Sequence, residues 1–382
     1  MGRRGLLGMT ILDSSPEISR RPRLLLFEQR LIGDAIMSLP FVRSAEAEFE
    51  VYVACAEVSA SIFKMVLPEE RVLAWTPPWF IEGGGLSKWR KAGIPAYLRR
   101  LRAVRAHVAA SGWADARGHL LMALCGAKVR AGFPMNPLNF YASHLPWRRK
   151  QIRIGRLLSA AGTILAMRPL LTKNVSRSGY EQHHVEDFHD LARALGIAWD
   201  EHRPWLPRRG APAGPGAGKD RPLWLVHPGA RAESRRWPLA SFLRIVREVL
   251  VPGGAKVIFL RPPEIRDELP PLPGGVEVVA PAGLRELLDI CGTADLLLCN
   301  DTGVSHMGAA LGKPTVSIFS SANPNWFAPR GCEKYLVARD VCPHRPCLDH
   351  CVMPSYICME AVSYEMVREK VLMALEDWRA GG

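Results

Sequence analysis

The apolar run Leu296-Leu297-Leu298-Cys299, which stops at Asp301-Thr302-Gly303-Val304-Ser305-His306, constrains the fold more than any other stretch of this chain. It predicts a buried strand that ends in a polar turn and passes straight into a helix over Met307 to Leu311. Gly312-Lys313-Pro314 then closes that helix before a second strand, Thr315 to Phe319. Strand, turn, helix and strand in that order put the turn at the carboxyl edge of a parallel sheet, where open α/β folds bind nucleotides. Free amides at the helix start and the helix dipole both favour a phosphate there. The same residues admit a plainer reading, with Asp301 an N-cap and His306 a packed helix histidine.

At 382 residues, 48% hydrophobic and with 11 tryptophans, the chain is long enough for two α/β domains, each with its own core. Lys and Arg number 50 against 37 Asp and Glu, a net charge of +13, which points to an acidic partner: a nucleic acid, an anionic membrane surface or a phosphorylated substrate. No apolar run reaches the ~18 residues of a membrane span. The stretch from Met1 to Leu12 is too short and interrupted for a signal peptide, so a cytoplasmic location is expected, with residues 1–22 as a flexible tail. Nine cysteines, an odd number scattered along the chain, fit reduced thiols better than a disulfide framework.

In the first half, Arg23 to Phe27 predicts a strand, and Gly33-Asp34 opens a helical stretch running to about Glu48. The glycine permits a tight turn, and the Asp34 carboxylate then stands at the top of the sheet, where it can serve as a general base. Helix capping is the simpler role on local grounds. Further strands are predicted at Val51–Ala54, Arg71–Trp75 and Lys128–Gly132. Between Glu82 and Asp115 there is no acidic residue, while Lys88, Arg90, Lys91, Arg99, Arg100, Arg102 and Arg105 accumulate near Trp79, Phe80 and Trp89. A basic run without compensating acids suits an anionic neighbour, and Lys88, Arg90 and Lys91 are the candidate acceptor contacts. Pro146-Trp147-Arg148-Arg149-Lys150 extends the basic character. His183, His184, Glu186, Asp187 and His189 crowd together, but Val185, Phe188, Leu191, Ala192 and Leu195 fall at helical spacing, so this segment reads as an amphipathic helix before a metal site.

The Pro/Gly-rich stretch beginning at Pro207 divides the chain: a first domain over 23–206, a linker over 207–221, a second domain over 222–362, and a terminal helix over 363–382 expected to pack back on the first domain. In the second half Leu223–His227 is a strand. Arg231, Arg235 and Arg236 converge before Trp237-Pro238 and a helix over Leu239–Leu250, a suitable clamp for a diphosphate. After the strand Lys256–Leu260, Glu264 is placed to accept from ribose hydroxyls. Cys342, Cys347, Cys351 and Cys358 are spaced Cys-x4-Cys-x3-Cys-x6-Cys; four thiolates can hold zinc or iron, but no Cys-x2-Cys pair is present and free thiols are the alternative.

Three blocks taken together, Leu31-Ile-Gly-Asp-Ala-Ile-Met-Ser-Leu-Pro40, His227-Pro-Gly-Ala230 with Arg235-Arg-Trp-Pro238, and Asn300-Asp-Thr-Gly-Val-Ser-His-Met-Gly-Ala-Ala-Leu-Gly-Lys-Pro-Thr315 followed by Asn323-Pro324, resemble the lipopolysaccharide heptosyltransferases of glycosyltransferase family 9 from about residue 23 to the C-terminus. The resemblance implies an α/β GT-B fold, two Rossmann-like doubly wound domains facing a central cleft. It implies an inverting, metal-independent enzyme without cofactor that moves heptose from ADP-heptose to a lipopolysaccharide core acceptor. It assigns Asp34 as the base and puts Arg235, with Arg236 beside it, where the family has a lysine that neutralises the donor's diphosphate. Thr302 and Gly303 supply amides, Asp301 and His306 shape that pocket, and Glu264 binds ribose. The expected partners are a nucleotide sugar, an acidic glycolipid and the inner face of the cytoplasmic membrane, with no nucleic acid, since no recognition motif for one is present. Glu28 departs from the family's usual Lys or Arg, and Ser320-Ser321-Ala322 from its Gly-Pro-Thr. Family members that modify autotransporter proteins have a four-cysteine iron site, so the cysteines bear on the acceptor as well. The competing functions are a heptosyltransferase with a protein or other glycan acceptor, a nucleotide-sugar epimerase, and a non-catalytic sugar-nucleotide-binding protein.

Overall fold

A computed structural model describes residues 21–81, 86–134, 168–179, 181–200, 205–206, 220–265, 269–347, 349 and 351–381. The tail up to residue 20, the linker residues 207–219 and the basic segment Pro146–Lys150 lie outside the described residues, as do the side chains of Lys88 and Trp89. The strands form two parallel six-stranded sheets. The first, ordered β3-β2-β1-β4-β5-β6, consists of β1 (Arg23–Glu28), β2 (Glu50–Ala56), β3 (Val72–Trp75), β4 (Val108–Ser111), β5 (Val129–Gly132) and β6 (Lys173–Asn174). The second, ordered β12-β11-β10-β7-β8-β9, consists of β7 (Leu223–His227), β8 (Lys256–Leu260), β9 (Val276–Val279), β10 (Leu296–Asn300), β11 (Thr315–Phe319) and β12 (Leu336–Ala338).

In each sheet the strand order reverses beside the first strand, between β1 and β4 and between β7 and β10, the place where open α/β sheets bind ligands beyond the carboxyl ends of their strands. The central strands read as continuous apolar runs because helices cover both their faces. Leu24, Leu25 and Leu26 of β1 and Leu296, Leu297 and Leu298 of β10 are all fully buried. One apolar cluster is shared by the two halves: Leu24, Leu26 and Ile36 belong to it together with Leu225, Leu297, Val304 and Met307, and Ile32 packs against it.

Several elements differ from expectation. The helix after β10 begins at Gly303 rather than Met307, because Thr302 caps it by accepting the Val304 N–H at 3.3 Å. The helix after Trp237-Pro238 runs α-helical only over Leu239–Ile245 and widens to a π turn over Val246–Leu250. The terminal helix, Tyr364–Arg379, lies on the second sheet and does not return to the first domain. Its stripe Val367, Val371, Ala374, Leu375 and Trp378 joins the cluster that holds Trp224, Val226, Leu296 and Ile318. Each such buried side chain contributes about 1.5–3 kcal/mol, which holds the helix on the second sheet. Among the described residues no helix is long and apolar enough to cross a membrane.

Candidate active site

Two helix starts, one from each half, meet across the cleft. The first helix, Ile32–Ala45, follows β1 after a short turn, and Asp34 sits in its first turn, where one carboxylate oxygen accepts the Leu31 N–H at 3.1 Å. The other oxygen has no hydrogen-bond partner among the described residues, so capping fixes the side chain and leaves one oxygen for chemistry. A Cβ added to Gly33 would lie 2.8 Å from Cδ2 of His306, and one added to Gly303 would lie 2.8 Å from Cγ2 of Ile32. Glycine is required at both positions for backbone to approach side chain this closely.

Asp301 follows β10 and is buried. It accepts from Nη1 of Arg235 at 3.1 Å, while Nε of Arg235 donates to Asp349 at 2.5 Å. Burial pushes the Asp301 carboxyl up to about 6; Arg235 opposes that shift, and the negative charges of Asp349 and Asp34 add to it. Asp34 thus stands within electrostatic reach of Asp301 and Arg235 from the opposite half. Burial takes His306 down to about 3, so its imidazole is neutral at physiological pH. Asn300, the last residue of β10, holds two of the sequence blocks together: its Nδ2 donates to the Pro228 carbonyl at 2.8 Å and its Oδ1 accepts the Trp237 N–H at 3.1 Å.

Asp34, Arg235, Asp301, Thr302, Gly303 and His306 therefore share one place. Arg236 donates to the Ala230 and Arg231 carbonyls at 2.7 and 3.3 Å, holding its loop with the atoms proposed for phosphate. Glu264 is exposed in the turn after β8. Lys88, Arg90 and Lys91 belong to the helix Leu86–Lys91 that follows edge strand β3, which β2 separates from β1; Arg90 and Lys91 are exposed.

Glu28, at the end of β1, is fully buried, and its Oε2 accepts from Trp113 Nε1 at 2.9 Å while Oε1 has no hydrogen-bond partner among the described residues. Trp113 lies between the Arg30 guanidinium, 3.8 Å from the ring centre, and the His184 ring, 3.9 Å away. Arg30, two residues on from Glu28, also lies 3.7 Å from Asp115. Burial, reinforced by Asp34, pushes the Glu28 carboxyl up to about 8. Between about pH 4.5 and about pH 8 the folded chain keeps a proton that the unfolded chain releases, so this stabilisation is complete below about 4.5 and is lost as pH rises through about 8. Glu28→Gln keeps the neutral form at every pH. Its stability should gain on that of the wild type across that window, by on the order of a few kcal/mol at the upper end, and its melting temperature should rise with it. Parallel melting curves of the two proteins over the same pH range would show that Glu28 carries no such proton.

The reading from sequence missed Asp349, Arg30 and Trp113. Asp349 is 114 residues from Arg235 in sequence, and the flanking cysteines draw attention from it. The histidine-rich segment forms the helix His184–Leu195: His183 caps it and bonds the Ala328 carbonyl of the second half through Nε2 at 2.8 Å, His184 meets Asp187 at 3.0 Å, and Glu186 pairs with Arg330 across the cleft. All nine cysteines are free, and Cys342, Cys347, Cys351 and Cys358 line one small cavity beside Ser320 and Ser321. Among the described residues, however, no three His, Cys, Asp or Glu side chains gather closely enough to hold a metal ion.

A family model, glycosyltransferase family 9 (heptosyltransferase), matches residues 137–357. Lipooligosaccharide heptosyltransferase 2 of Haemophilus influenzae is 24% identical over 119 residues, which are 29% of this chain and 34% of that protein, so the match spans about a third of the relative's length. The E. coli heptosyltransferase WaaC, solved with ADP, superposes with a TM-score of 0.62 at 16% identity, covering 92% of this chain and 99% of that one. TibC of enterotoxigenic E. coli, a dodecameric iron-containing heptosyltransferase solved in complex with ADP-D-β-D-heptose, gives a TM-score of 0.53 at 12% identity over 94% of this chain and 77% of its own. At these identities the two structures are likenesses of fold, and the fold they share is GT-B.

Proposed function

Since this chain belongs to glycosyltransferase family 9, we propose that it transfers heptose from ADP-heptose to a hydroxyl of an acidic lipopolysaccharide core, with inversion and without a metal. One observation carries the reading: the Asp34 carboxylate of the first half stands within electrostatic reach of Arg235 and Asp301 of the second, beside the contact between Gly33 and His306. A glycosyl donor leaves as a nucleoside diphosphate, so negative charge grows on the side of the second domain while a proton must leave the acceptor on the side of the first.

The free oxygen of Asp34 takes that proton as the acceptor oxygen attacks the anomeric carbon from the face opposite the leaving group. A single displacement of this kind needs one base and no paired carboxylate. Arg235, together with the amides at the start of helix Gly303–Ala310, stabilises the departing diphosphate. Neutral His306 adds no charge of its own and closes the space behind Gly33. Glu264 is proposed to meet the ribose and the basic helix Leu86–Lys91, where Arg90 and Lys91 are exposed, to meet the anionic acceptor, whose membrane-borne form suits a peripheral position of a chain with net charge +13.

Arg235→Ala should weaken ADP binding on the order of 10- to 100-fold, the usual scale for a charge-assisted hydrogen bond to phosphate. Calorimetric titration of both proteins with ADP measures it, and equal affinities would remove Arg235 from the donor site. Release of ADP from ADP-heptose only when a core oligosaccharide is supplied tests the transfer itself and separates it from epimerisation, which needs no acceptor.

A further inference from the structure

We infer that Asp349 is a positioning residue of the donor site, holding the Arg235 guanidinium so that its remaining nitrogen, Nη2, is presented to the diphosphate. The inference rests on the reading of Arg235 as the diphosphate clamp and extends it to a segment with no role so far, the cysteine-bearing stretch between β12 and the terminal helix. Two of the three guanidinium nitrogens of Arg235 are held by carboxylates: Nε by Asp349 at 2.5 Å and Nη1 by Asp301 at 3.1 Å. Nη2 has no hydrogen-bond partner among the described residues. An unheld arginine side chain loses rotamer freedom when it meets its ligand, and one held in advance loses less.

Asp349 is itself fixed. The carboxylate oxygen that accepts from Arg235 also accepts from the Ser321 hydroxyl at 2.8 Å. The backbone of Ser321 and Ala322 is tied to the same segment, since the Cys347 N–H bonds the Ser321 carbonyl at 3.2 Å and Arg345 Nε bonds the Ala322 carbonyl at 3.0 Å. Ser320 bonds the carbonyl of Ser234, the residue before Arg235, at 2.6 Å. A circuit therefore runs from the backbone before Arg235 through Ser320 and Ser321 to Asp349 and back to the Arg235 side chain. Asp349 adopts φ 75°, a left-handed conformation that aspartate tolerates better than most residues. The turn Ser320-Ser321-Ala322 supplies the two hydroxyls on which this circuit depends.

A different role would have the opposite sign. If Asp349 merely occupied Arg235 in place of the diphosphate, its removal would free the guanidinium and tighten ADP binding. ADP titrations of the wild type, Asp349→Ala, Asp349→Asn, Arg235→Ala and the double variant Asp349→Ala/Arg235→Ala decide between them, with a thermal melt on each sample. The expected result is a loss of about tenfold for Asp349→Ala. Asp349→Asn should stay within about threefold of the wild type, because its amide oxygen still accepts from Arg235 and Ser321. Asp349→Ala should have little further effect once Arg235 is gone. Asp349→Ala binding ADP as tightly as the wild type or tighter overturns the inference, and so does a loss of equal size in the Arg235→Ala background, which would be general damage to the site. A wild type that binds no ADP, or an Arg235→Ala protein that binds it unchanged, overturns the donor reading first and this inference with it.

Discussion

Asp34→Asn is expected to lower turnover by about 10²–10⁴-fold, the usual worth of a general base, while leaving ADP affinity and melting temperature close to those of the wild type. Asparagine can still accept the Leu31 N–H that Asp34 accepts at 3.1 Å, so the start of the first helix keeps its cap. It cannot take a proton from the acceptor. Asp34→Ala should show the same loss of turnover and in addition cost about 0.5–2 kcal/mol of stability, because the cap goes with the base. The pair separates the two roles that sequence left open for this residue. Single-turnover rates with saturating ADP-heptose and acceptor provide the measurement. An asparagine variant with turnover near that of the wild type would leave Asp34 a cap alone.

Gly303→Val is expected to force apart the two helix starts that meet at Ile32 while each sheet stays folded. The first carbon of any side chain at 303 would lie 2.8 Å from Cγ2 and 3.0 Å from Cβ of Ile32, a β-branched residue with few rotamers to escape into. Overpacking of this kind costs about 1–3 kcal/mol, and valine adds two methyl groups at the place where a phosphate would approach the helix start. Turnover should fall on the order of 100-fold or more. Ile32→Ala in the same chain should restore part of the loss if collision between the halves is the cause and none of it if the blocked amides are. Circular dichroism, melting and ADP titration on one sample set distinguish these outcomes. A folded Gly303→Val protein that turns over and binds ADP normally would remove the helix start from the donor site.

The strands legible in the sequence are those whose burial leaves an unbroken apolar run. Leu223–His227, Lys256–Leu260 and Thr315–Phe319 have the bounds that composition implies. Val108–Ser111 is different: Val-Ala-Ala-Ser has little strand preference of its own, and it is a central strand only because β1 and β5 pair with it on either side. The site divides in the same way. Asp34, Asp301 and Gly303 could be picked out because each lies where a strand turns into a helix, a feature written in consecutive residues. Asp349, Trp113 and Arg30 could not, since their partners are brought to them by the fold from 114, 85 and 83 residues away. Glu28 was visible as an odd charge, but its neutral, buried state follows from tertiary burial and Asp34 rather than from its neighbours in sequence.

The apolar cluster that passes from Leu24 through Ile32, Val304 and Met307 to Leu225 and Leu297 bears on how this molecule comes apart. Two halves with separate cores would unfold in two steps, each with its own midpoint. Here the seam between them is built from the same buried side chains as the interior, so loosening one half strips cover from the other and the transition is shared. A nucleotide seated on the second half then protects the first half as well, although it touches little of it, because mass action on a shared transition is felt by the whole chain. Cutting the chain at the linker would yield two fragments that each carry an uncovered face, and their reluctance to stay in solution apart would be a property of the seam rather than of either sheet.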